Sequence, residues 1–302
     1  MTGLIVRSGR KRITLSSFLI HVFLCVLSAC FVIPLVVVFI VSITTQQDLT
    51  RFGLRLIPLR PTWDAYHVII KAPETILNAY KVTITTTFIS LLLYLFIGSL
   101  CAYSLSRRDF ALRNIVSFYL FFTMMFSGGL VPYYLLVTKY LELRNTIWSL
   151  ILPQLGNVWH VFLMRTFFQS ISDSIVESAT IDGANDWQIY ARIMLPLSVP
   201  SLATVALLNF VGYWNTWFNA LLFIDDKQLR PLQYMLQLML SNIELMRKSI
   251  ASGAIMRVDL RNIPSEPLQM AMCVLAIGPV MLIFPFFQKY LVKGIMVGSV
   301  KG

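Results

Sequence analysis

The chain has 302 residues, of which 57% are hydrophobic and 13% are charged, and its formal net charge is +11. About a quarter of the residues in a soluble domain are charged, so this composition excludes an ordinary soluble protein and predicts a membrane protein. The basic residues stand in short clusters beside apolar runs, as at Arg7, Arg10, Lys11 and Arg12. Such clusters are typical of membrane topology and argue against a nucleic-acid partner.

Six apolar runs are long enough to cross the hydrocarbon core of a bilayer, which takes about 20 helical residues. They cover residues 18–43, 78–105, 114–137, 146–168, 199–224 and 268–291. The pattern predicts an all-α membrane protein, with a cytoplasmic segment over 1–17 and a six-helix transmembrane domain over 18–302. Basic residues before the first run, between the second and third, and after the sixth fall on one side, so both termini are predicted to be cytoplasmic.

The fifth and sixth runs are joined by an external segment, 225–267, that is long for a loop. Its middle part, 232–250, has helical character, and Pro264 and Pro267 follow. Two interpretations remain open, a solvated connector or a surface that contacts a partner, as long loops with their own periodicity often do.

A polar segment, 172–198, lies between the fourth and fifth runs and is predicted to be cytoplasmic. Ser174 and Glu177 have the spacing of a capping box at the start of a helix. Gly183 predicts a bend, because glycine tolerates the left-handed backbone that other residues avoid. A second helix is predicted from Asn185, with Gln188 in the same capping relation.

The second helix carries an apolar stripe at helical spacing, formed by Trp187, Tyr190, Ala191 and Met194. Two short helices with an apolar stripe suit either lipid headgroups or a groove in another protein. The acidic residues of the segment outnumber its single basic residue, Arg192. This balance favours a protein partner over an anionic membrane surface.

Three strings in this segment, Glu177-Ser178-Ala179, Asp182-Gly183-Ala184 and Ile193-x-Leu195-Pro196, resemble the EAA signature of ABC importer permeases. Ser178 is the single departure, because the family usually has alanine there. Further stretches at 127–132, 214–218, 229–233 and 288–294 are similar to the carbohydrate, or maltose-type, branch of that family. Within it, the chain looks most like permeases for complex or acidic oligosaccharides, the alginate importers among them.

The resemblance implies a type I importer permease of the bacterial inner membrane that forms half of a translocation pathway for oligosaccharides or polysaccharide fragments. It implies a second, different permease subunit, a dimer of ATPase subunits, an external solute-binding protein and membrane lipid as partners, and no enzymatic activity in this chain. The sequence contains no G-x-x-x-x-G-K-[ST] motif for binding ATP. ATP and Mg²⁺ are therefore expected in the ATPase subunits, and no cofactor is expected here.

In that family the EAA segment is the coupling helix, which carries closure of the ATPase to the membrane helices. The residues implied in coupling are Glu177, Ser178, Ala179, Asp182, Gly183, Ala184, Trp187, Ile193, Leu195 and Pro196. Glu177 has a second interpretation, as a helix cap alone.

The fifth run offers candidates for sugar contact, because aromatic faces and amides bind sugars in preformed cavities. They are Asn209, Tyr213, Trp214, Asn215 and Asn219. The alternative is favoured for each of them: hydrogen bonds between helices, and an aromatic belt that includes Trp214 and Trp217. His160 is likewise expected to be hydrogen-bonded between helices, not a proton relay.

Two other classes of function are weighed against the importer. An ion-coupled secondary transporter usually shows inverted repeats and charges within its spans, and neither is evident in the sequence. A membrane-embedded enzyme needs a catalytic constellation, and the sequence shows neither paired carboxylates nor the residue spacing of a metal site.

Overall fold

The computed structural model describes residues 15–71, 73–251 and 266–297. Most of the predicted segment 1–17 and part of the predicted loop 225–267 lie outside the described residues. The described parts of the chain form helices and short helical turns, with no strand among them. The α-helices are α1 Leu15–Ser42, α2 Gln46–Phe52, α3 Asp64–Ile70, α4 Pro73–Ser106, α5 Arg113–Met125, α6 Leu130–Leu135, α7 Trp148–Ile151, α8 Val158–Ser170, α9 Asp173–Ile181, α10 Asp186–Ile189, α11 Leu195–Leu197, α12 Val199–Trp214, α13 Phe218–Phe223, α14 Leu232–Ala251 and α15 Glu266–Val297.

The described residues divide into two compact units, and the smaller one comprises those within 1–67 and 265–274. Helix α1 is apolar along its length and exposes most of its large side chains, as a helix surrounded by lipid or other spans does. Thr45 caps α2 by accepting a hydrogen bond from the Asp48 amide at 3.1 Å. The hydroxyls of Ser42 and Tyr66 lie 2.8 Å apart and join the end of α1 to α3.

The larger unit comprises the described residues within 68–264 and 275–302, and its core forms where α4, α8 and α12 pack together. The buried face of α4 consists largely of small and hydroxyl side chains, including Thr87, Ser90, Gly98 and Ala102. Small side chains let helix backbones approach closely within a membrane. At 1.5 Å per residue, the 34 residues of α4 extend about 50 Å.

Three of the six predicted runs form continuous helices, α1, α4 and α15, and each of the other three is interrupted. The third run breaks after Met125, where Gly129 has a φ of 87°, and the two helical pieces meet at 112°. The fourth run is interrupted by the 3₁₀ turn Leu152–Gly156, which contains Pro153. The fifth ends at Trp214 and resumes at Phe218.

Within the described residues, three helices are long and apolar enough to cross a membrane, and two bent helix pairs reach that length together. The second of these pairs joins Asp186–Leu197 to Val199–Trp214 at 78°. The predicted total of six spans therefore stays a prediction.

The predicted helical stretch at 232–250 is confirmed as α14. Its start is fixed by a buried hydrogen bond from the Leu232 amide to the Thr83 hydroxyl of α4, at 2.9 Å. Tyr234 then packs in a second apolar cluster with Val82, Leu150 and Ala220. The first turns of α14 thus belong to the packed bundle of the larger unit.

Candidate functional site

The first helix of the 172–198 segment, α9, begins at Asp173, two residues earlier than a capping box at Ser174 requires. Ser172 occupies the N-cap position and its side chain makes no capping bond; its hydroxyl lies 2.7 Å from the Ser174 hydroxyl instead. The predicted capping box of Ser174 and Glu177 is therefore wrong, and so is the interpretation of Glu177 as a cap alone. Glu177 stands a full turn inside α9 with its side chain exposed.

The predicted bend at Gly183 is confirmed, and two backbone hydrogen bonds define it. The Gly183 amide donates to the Thr180 carbonyl at 3.0 Å, and the Ala184 amide donates to the Ala179 carbonyl at 2.9 Å. This pair of bonds is the Schellman motif, which places its glycine in the left-handed region, and Gly183 has a φ of 83°. A Cβ atom there would meet no other atom within 4 Å, so the backbone angle alone requires glycine.

The predicted capping relation at Asn185 is also confirmed. The Gln188 amide donates to Asn185 Oδ1 at 2.8 Å, and the Asn185 amide donates to Gln188 Oε1 at 3.0 Å. Helix α10 starts from this reciprocal cap and continues into the π-helical turn Tyr190–Met194. A π-turn directly before the Leu195-Pro196 pair suits the chain, because proline cannot donate the bond that a regular helix requires.

The predicted apolar stripe of the second helix is only partly correct. Tyr190 and Met194 are buried in the core, but the Trp187 side chain is 57% exposed and Ile189 is buried instead. The stripe was predicted from a regular 3.6-residue period, and the π-turn adds a residue to one turn and so breaks that period.

Two exposed apolar side chains flank the bend. Ile181, the last residue of α9, is 86% exposed, and Trp187 lies on the far side of Gly183. Exposed large apolar groups close to one another mark contact surfaces. Sequence reasoning missed Ile181. The available signal was an apolar residue two positions before a helix-ending glycine, where a solvated turn is usually polar.

The end of α4 and the loop after it hold the 172–198 segment through charged contacts. Arg108 Nη2 lies 3.1 Å from Asp173 Oδ2 at the start of α9. Arg107 Nη2 lies 3.9 Å from Asp186 Oδ1 at the start of α10, and Arg107 also forms a two-bond contact with Asp109. That guanidinium holds the pKa of the Asp109 carboxyl below its ordinary value of 3.8. In the sequence, both arginines predicted membrane topology only.

An open cleft of about 860 Å³ separates α9 from this loop. It is lined by Ser106, Arg107, Arg108, Asp109, Arg113, Phe168, Gln169, Ile171, Asp173, Val176, Glu177, Thr180, Ile181 and Met194. Carboxylates on the α9 wall face arginines on the other wall. The cleft therefore offers both charge signs to a group that enters it.

The family described as "Binding-protein-dependent transport system inner membrane component" matches residues 94–297, which include this whole segment. The chain belongs to this family. It is a permease subunit of an ABC transporter, and so a transport component and not an enzyme.

Individual relatives cover nearly the whole permease. It is 37% identical to the "Polygalacturonan/rhamnogalacturonan transport system permease protein YtcP" of Bacillus subtilis (strain 168), over 95% of this chain and 99% of that one. It is 35% identical to "Protein LplC" of the same organism, over 90% of each chain. A crystal structure of a bacterial ABC transporter involved in the import of the acidic polysaccharide alginate contains a chain that matches with a TM-score of 0.78 and 28% identity, over 96% of this chain and 100% of that chain.

The permease buries three of its five candidate sugar contacts in hydrogen bonds between its own elements. Asn209 is 2% exposed. Its Oδ1 lies 3.0 Å from His160 Nδ1, and its Nδ2 donates to the Val205 carbonyl. The Tyr213 hydroxyl donates to the Gln154 carbonyl at 3.2 Å. Trp214 is buried, not part of an aromatic belt, and its indole N–H donates to the Ala276 carbonyl at 2.9 Å.

The other two candidates lie nearer the surface of the permease. Asn215 is exposed, and its Oδ1 accepts from Gln233 Nε2 at 3.1 Å. Asn219 Oδ1 accepts from the Tyr133 hydroxyl at 3.0 Å. Sugar contact stays a prediction for all five, and the predicted hydrogen-bonded role of His160 is what the structure shows. Within the described residues, no cluster of three His, Cys, Asp or Glu side chains has the geometry to hold a metal ion.

Proposed function

We propose that this permease forms half of the translocation pathway of an ATP-driven importer for oligosaccharides or polysaccharide fragments that carry acidic sugars. Two findings support this substrate class. The relative YtcP is named for transport of polygalacturonan, a polymer of a sugar acid. The matching crystal structure belongs to a transporter involved in import of the acidic polysaccharide alginate.

The importer is completed by other chains. An external solute-binding protein delivers the sugar, as the name of the family indicates. A second homologous permease forms the other half of the pathway, and a dimer of ATPase subunits binds ATP and Mg²⁺. The complex lies in the bacterial inner membrane, with both termini and the 172–198 segment on the cytoplasmic side. The contact of Arg108 with Asp173 supports this orientation, because it places the arginine cluster beside the segment.

The 172–198 segment, which we call the coupling segment, docks on the ATPase. The observation that carries this proposal is the bend at Gly183, whose local hydrogen bonds hold Ile181 and Trp187 out of the protein core. A partner groove with an apolar floor would receive these two side chains. Basic groups on its rim would meet the exposed carboxylates of Glu177 and Asp182.

The remaining residues implied in coupling support that surface from within. Ala179 and Ala184 pack against the core of the larger unit, and Ser178 bonds back to the Ser174 carbonyl at 2.8 Å. Ile193, Leu195 and Pro196 shape the return to α12. For the sugar pathway, we place contact at Asn215 and Asn219, with Asn209, Tyr213 and Trp214 positioning α12 behind them.

The test is reconstitution of the permease with its second permease, ATPase and binding protein in vesicles. ATP hydrolysis should rise when the binding protein is loaded with an acidic oligosaccharide, and sugar should enter only with ATP. Gly183→Leu should leave the complex assembled but remove transport, because leucine resists the left-handed backbone. Uptake driven by a proton or sodium gradient without ATP would contradict the proposal and favour a secondary transporter.

A matched control is available outside the coupling segment. Gly53 also has a positive φ, 68°, and also has no atom within 4 Å of a built Cβ. Gly53→Leu therefore also imposes backbone strain, and a more severe one because a ψ of −168° at this φ is nearly restricted to glycine, at a turn outside the coupling segment. We expect it to leave the amount of sugar moved per ATP unchanged.

A further inference from the structure

The exposed Trp187 is the first of a row of aromatic rings that leads from the coupling segment into the helix bundle. Its ring centroid lies 5.5 Å from that of Tyr190, which lies 5.3 Å from that of Tyr103 on α4. Tyr103 in turn meets Phe168 of α8 edge to face, with centroids 6.3 Å apart. All of these separations lie within the range of favourable ring contacts.

Tyr190 is also held by a buried hydrogen bond to the same helix. Its hydroxyl lies 2.7 Å from Ser99 Oγ, and both residues are almost completely buried, at 3% and 2% exposed. The single hydroxyl proton of Ser99 is directed to the Leu95 carbonyl of its own helix. Tyr190 is therefore the donor and Ser99 the acceptor.

The contacts of the segment's second half fall on one face of α4. Ser99 and Tyr103 are four residues apart and lie along one side of α4, and Arg107 directly follows its last residue. Ser99 meets the Tyr190 hydroxyl, the Tyr103 hydroxyl lies 3.4 Å from the Asp186 carbonyl, and Arg107 pairs with the Asp186 carboxylate. The three contacts tie α10 and the π-turn to about the last two turns of α4 and the residue that follows them.

We propose that Tyr190 is a positioning residue that passes movement of the coupling segment to α4. The proposal rests on the proposed function, since it requires that the ATPase moves this segment. A displacement of Trp187 presses on the Tyr190 ring, and the buried Ser99 bond prevents Tyr190 from moving without α4. Because α4 packs on α8 and α12, its displacement reaches the core of the bundle. Tyr190 also opens the π-turn, an irregularity that occurs frequently at functional sites.

The experiment removes each half of the Ser99–Tyr190 bond in the complete reconstituted importer. Sugar transport and ATP hydrolysis are measured together for Tyr190→Phe, Ser99→Ala and the double variant. Each single variant should lower the sugar moved per ATP by about fivefold, the effect of one buried hydrogen bond. The double variant should lose no more than either single variant, since both remove the same interaction.

A matched control is Tyr80→Phe, which removes another tyrosine hydrogen bond of α4, to the Leu275 carbonyl at 2.6 Å. We expect the sugar moved per ATP to remain at the wild-type value in this variant. Wild-type coupling in both single variants, or losses that multiply in the double variant, would overturn the role of Tyr190. If Tyr190→Phe fails to assemble, Ser99→Ala measured against Tyr80→Phe decides the question.

Gly183→Leu in the same assay separates this inference from the proposed function. If Gly183→Leu abolishes transport while Tyr190→Phe and Ser99→Ala behave as wild type, the segment docks but Tyr190 does not transmit its movement. If Gly183→Leu also transports normally, the proposed coupling role of the segment is itself wrong.

Discussion

The bend of the coupling segment and helix α12 lie close together in the chain, yet they use their polar residues in opposite ways. At the bend, the hydrogen bonds that fix the backbone are local, and the side chains of Glu177 and Asp182 remain exposed. In α12, the polar side chains at 209, 213 and 214 point inward and bond to other elements. Residue type alone therefore does not distinguish a docking surface from a packing surface in this protein. The two differ in whether the polar side chains already form hydrogen bonds with other elements of the chain.

The largest expected effect concerns the stability of the protein and the buried polar side chains of α12. Asn209→Ala leaves the buried His160 Nδ1 without its partner, and a buried unsatisfied group costs about 1–3 kcal/mol. Thermal or denaturant unfolding in detergent should show that loss, while the sugar concentration for half-maximal transport stays unchanged. A stable variant with weakened sugar affinity would instead place Asn209 in the pathway.

Asn215→Ala is the matched variant at an exposed position. Substitutions at exposed positions usually change stability by less than about 0.5 kcal/mol, so unfolding should be nearly unaffected. If Asn215 contacts sugar, the concentration for half-maximal transport should rise. A fall in stability equal to that of Asn209→Ala would erase the distinction between the two positions.

The next effect concerns the coupling segment and depends on the backbone angle of Gly183. A left-handed conformation costs most residues about 1–2 kcal/mol, whereas asparagine adopts it more readily. Gly183→Val should therefore reduce sugar moved per ATP much more than Gly183→Asn. Because neither side chain meets a neighbour at its Cβ, equal losses in the two variants would show that the surface, and not the backbone angle, is what matters there.

A smaller effect concerns the exposed ion pair between Arg108 and Asp173. Pairs exposed to solvent contribute about 1 kcal/mol or less and are screened by salt. Asp173→Arg should weaken coupling slightly at low ionic strength, and adding Arg108→Asp should restore it. The difference should vanish at high salt, and a defect that persists there would point to a cause other than charge.

The smallest effect is the pH dependence of the contact between Arg107 and Asp109. Because the pKa of Asp109 is lowered in the folded protein, its contribution to stability is present above its ordinary pKa and is lost as pH falls through the lowered pKa. ATP hydrolysis by wild type and by Asp109→Asn should therefore keep a constant ratio from about pH 5 to about pH 8. A ratio that changes within that window would assign the titration to another group.

Features governed by neighbouring residues in the chain could be predicted from the sequence. The bend at Gly183 and the reciprocal cap of Asn185 and Gln188 depend on local backbone bonds, and both are confirmed. The uninterrupted helices α1, α4 and α15 follow from long apolar runs. The family resemblance, carried by the residues around Glu177 and Gly183, is confirmed by the family match over 94–297.

Features that depend on distant contacts could not be predicted. The π-turn Tyr190–Met194 interrupts the regular helical period, and the break after Met125 depends on a glycine conformation that apolar composition does not specify. The partners of Asn209 and Trp214 lie 49 and 62 residues away in the chain. Arg107 and Arg108 are explained by the rule that basic residues mark cytoplasmic loops. Nothing further in the sequence indicates that they also contact the coupling segment.

The length of α4 has a mechanical consequence. A helix of about 50 Å exceeds a hydrocarbon core of about 30 Å, so part of it projects beyond the lipid when it crosses the bilayer steeply. A rigid rod of that length turning by about 5° about one end moves its other end by about 4 Å. Ser99, Tyr103 and Arg107 meet the coupling segment near one end of α4. A displacement of that end by about 4 Å, the length of one side-chain contact, therefore requires only a slight change in the tilt of α4 within the membrane.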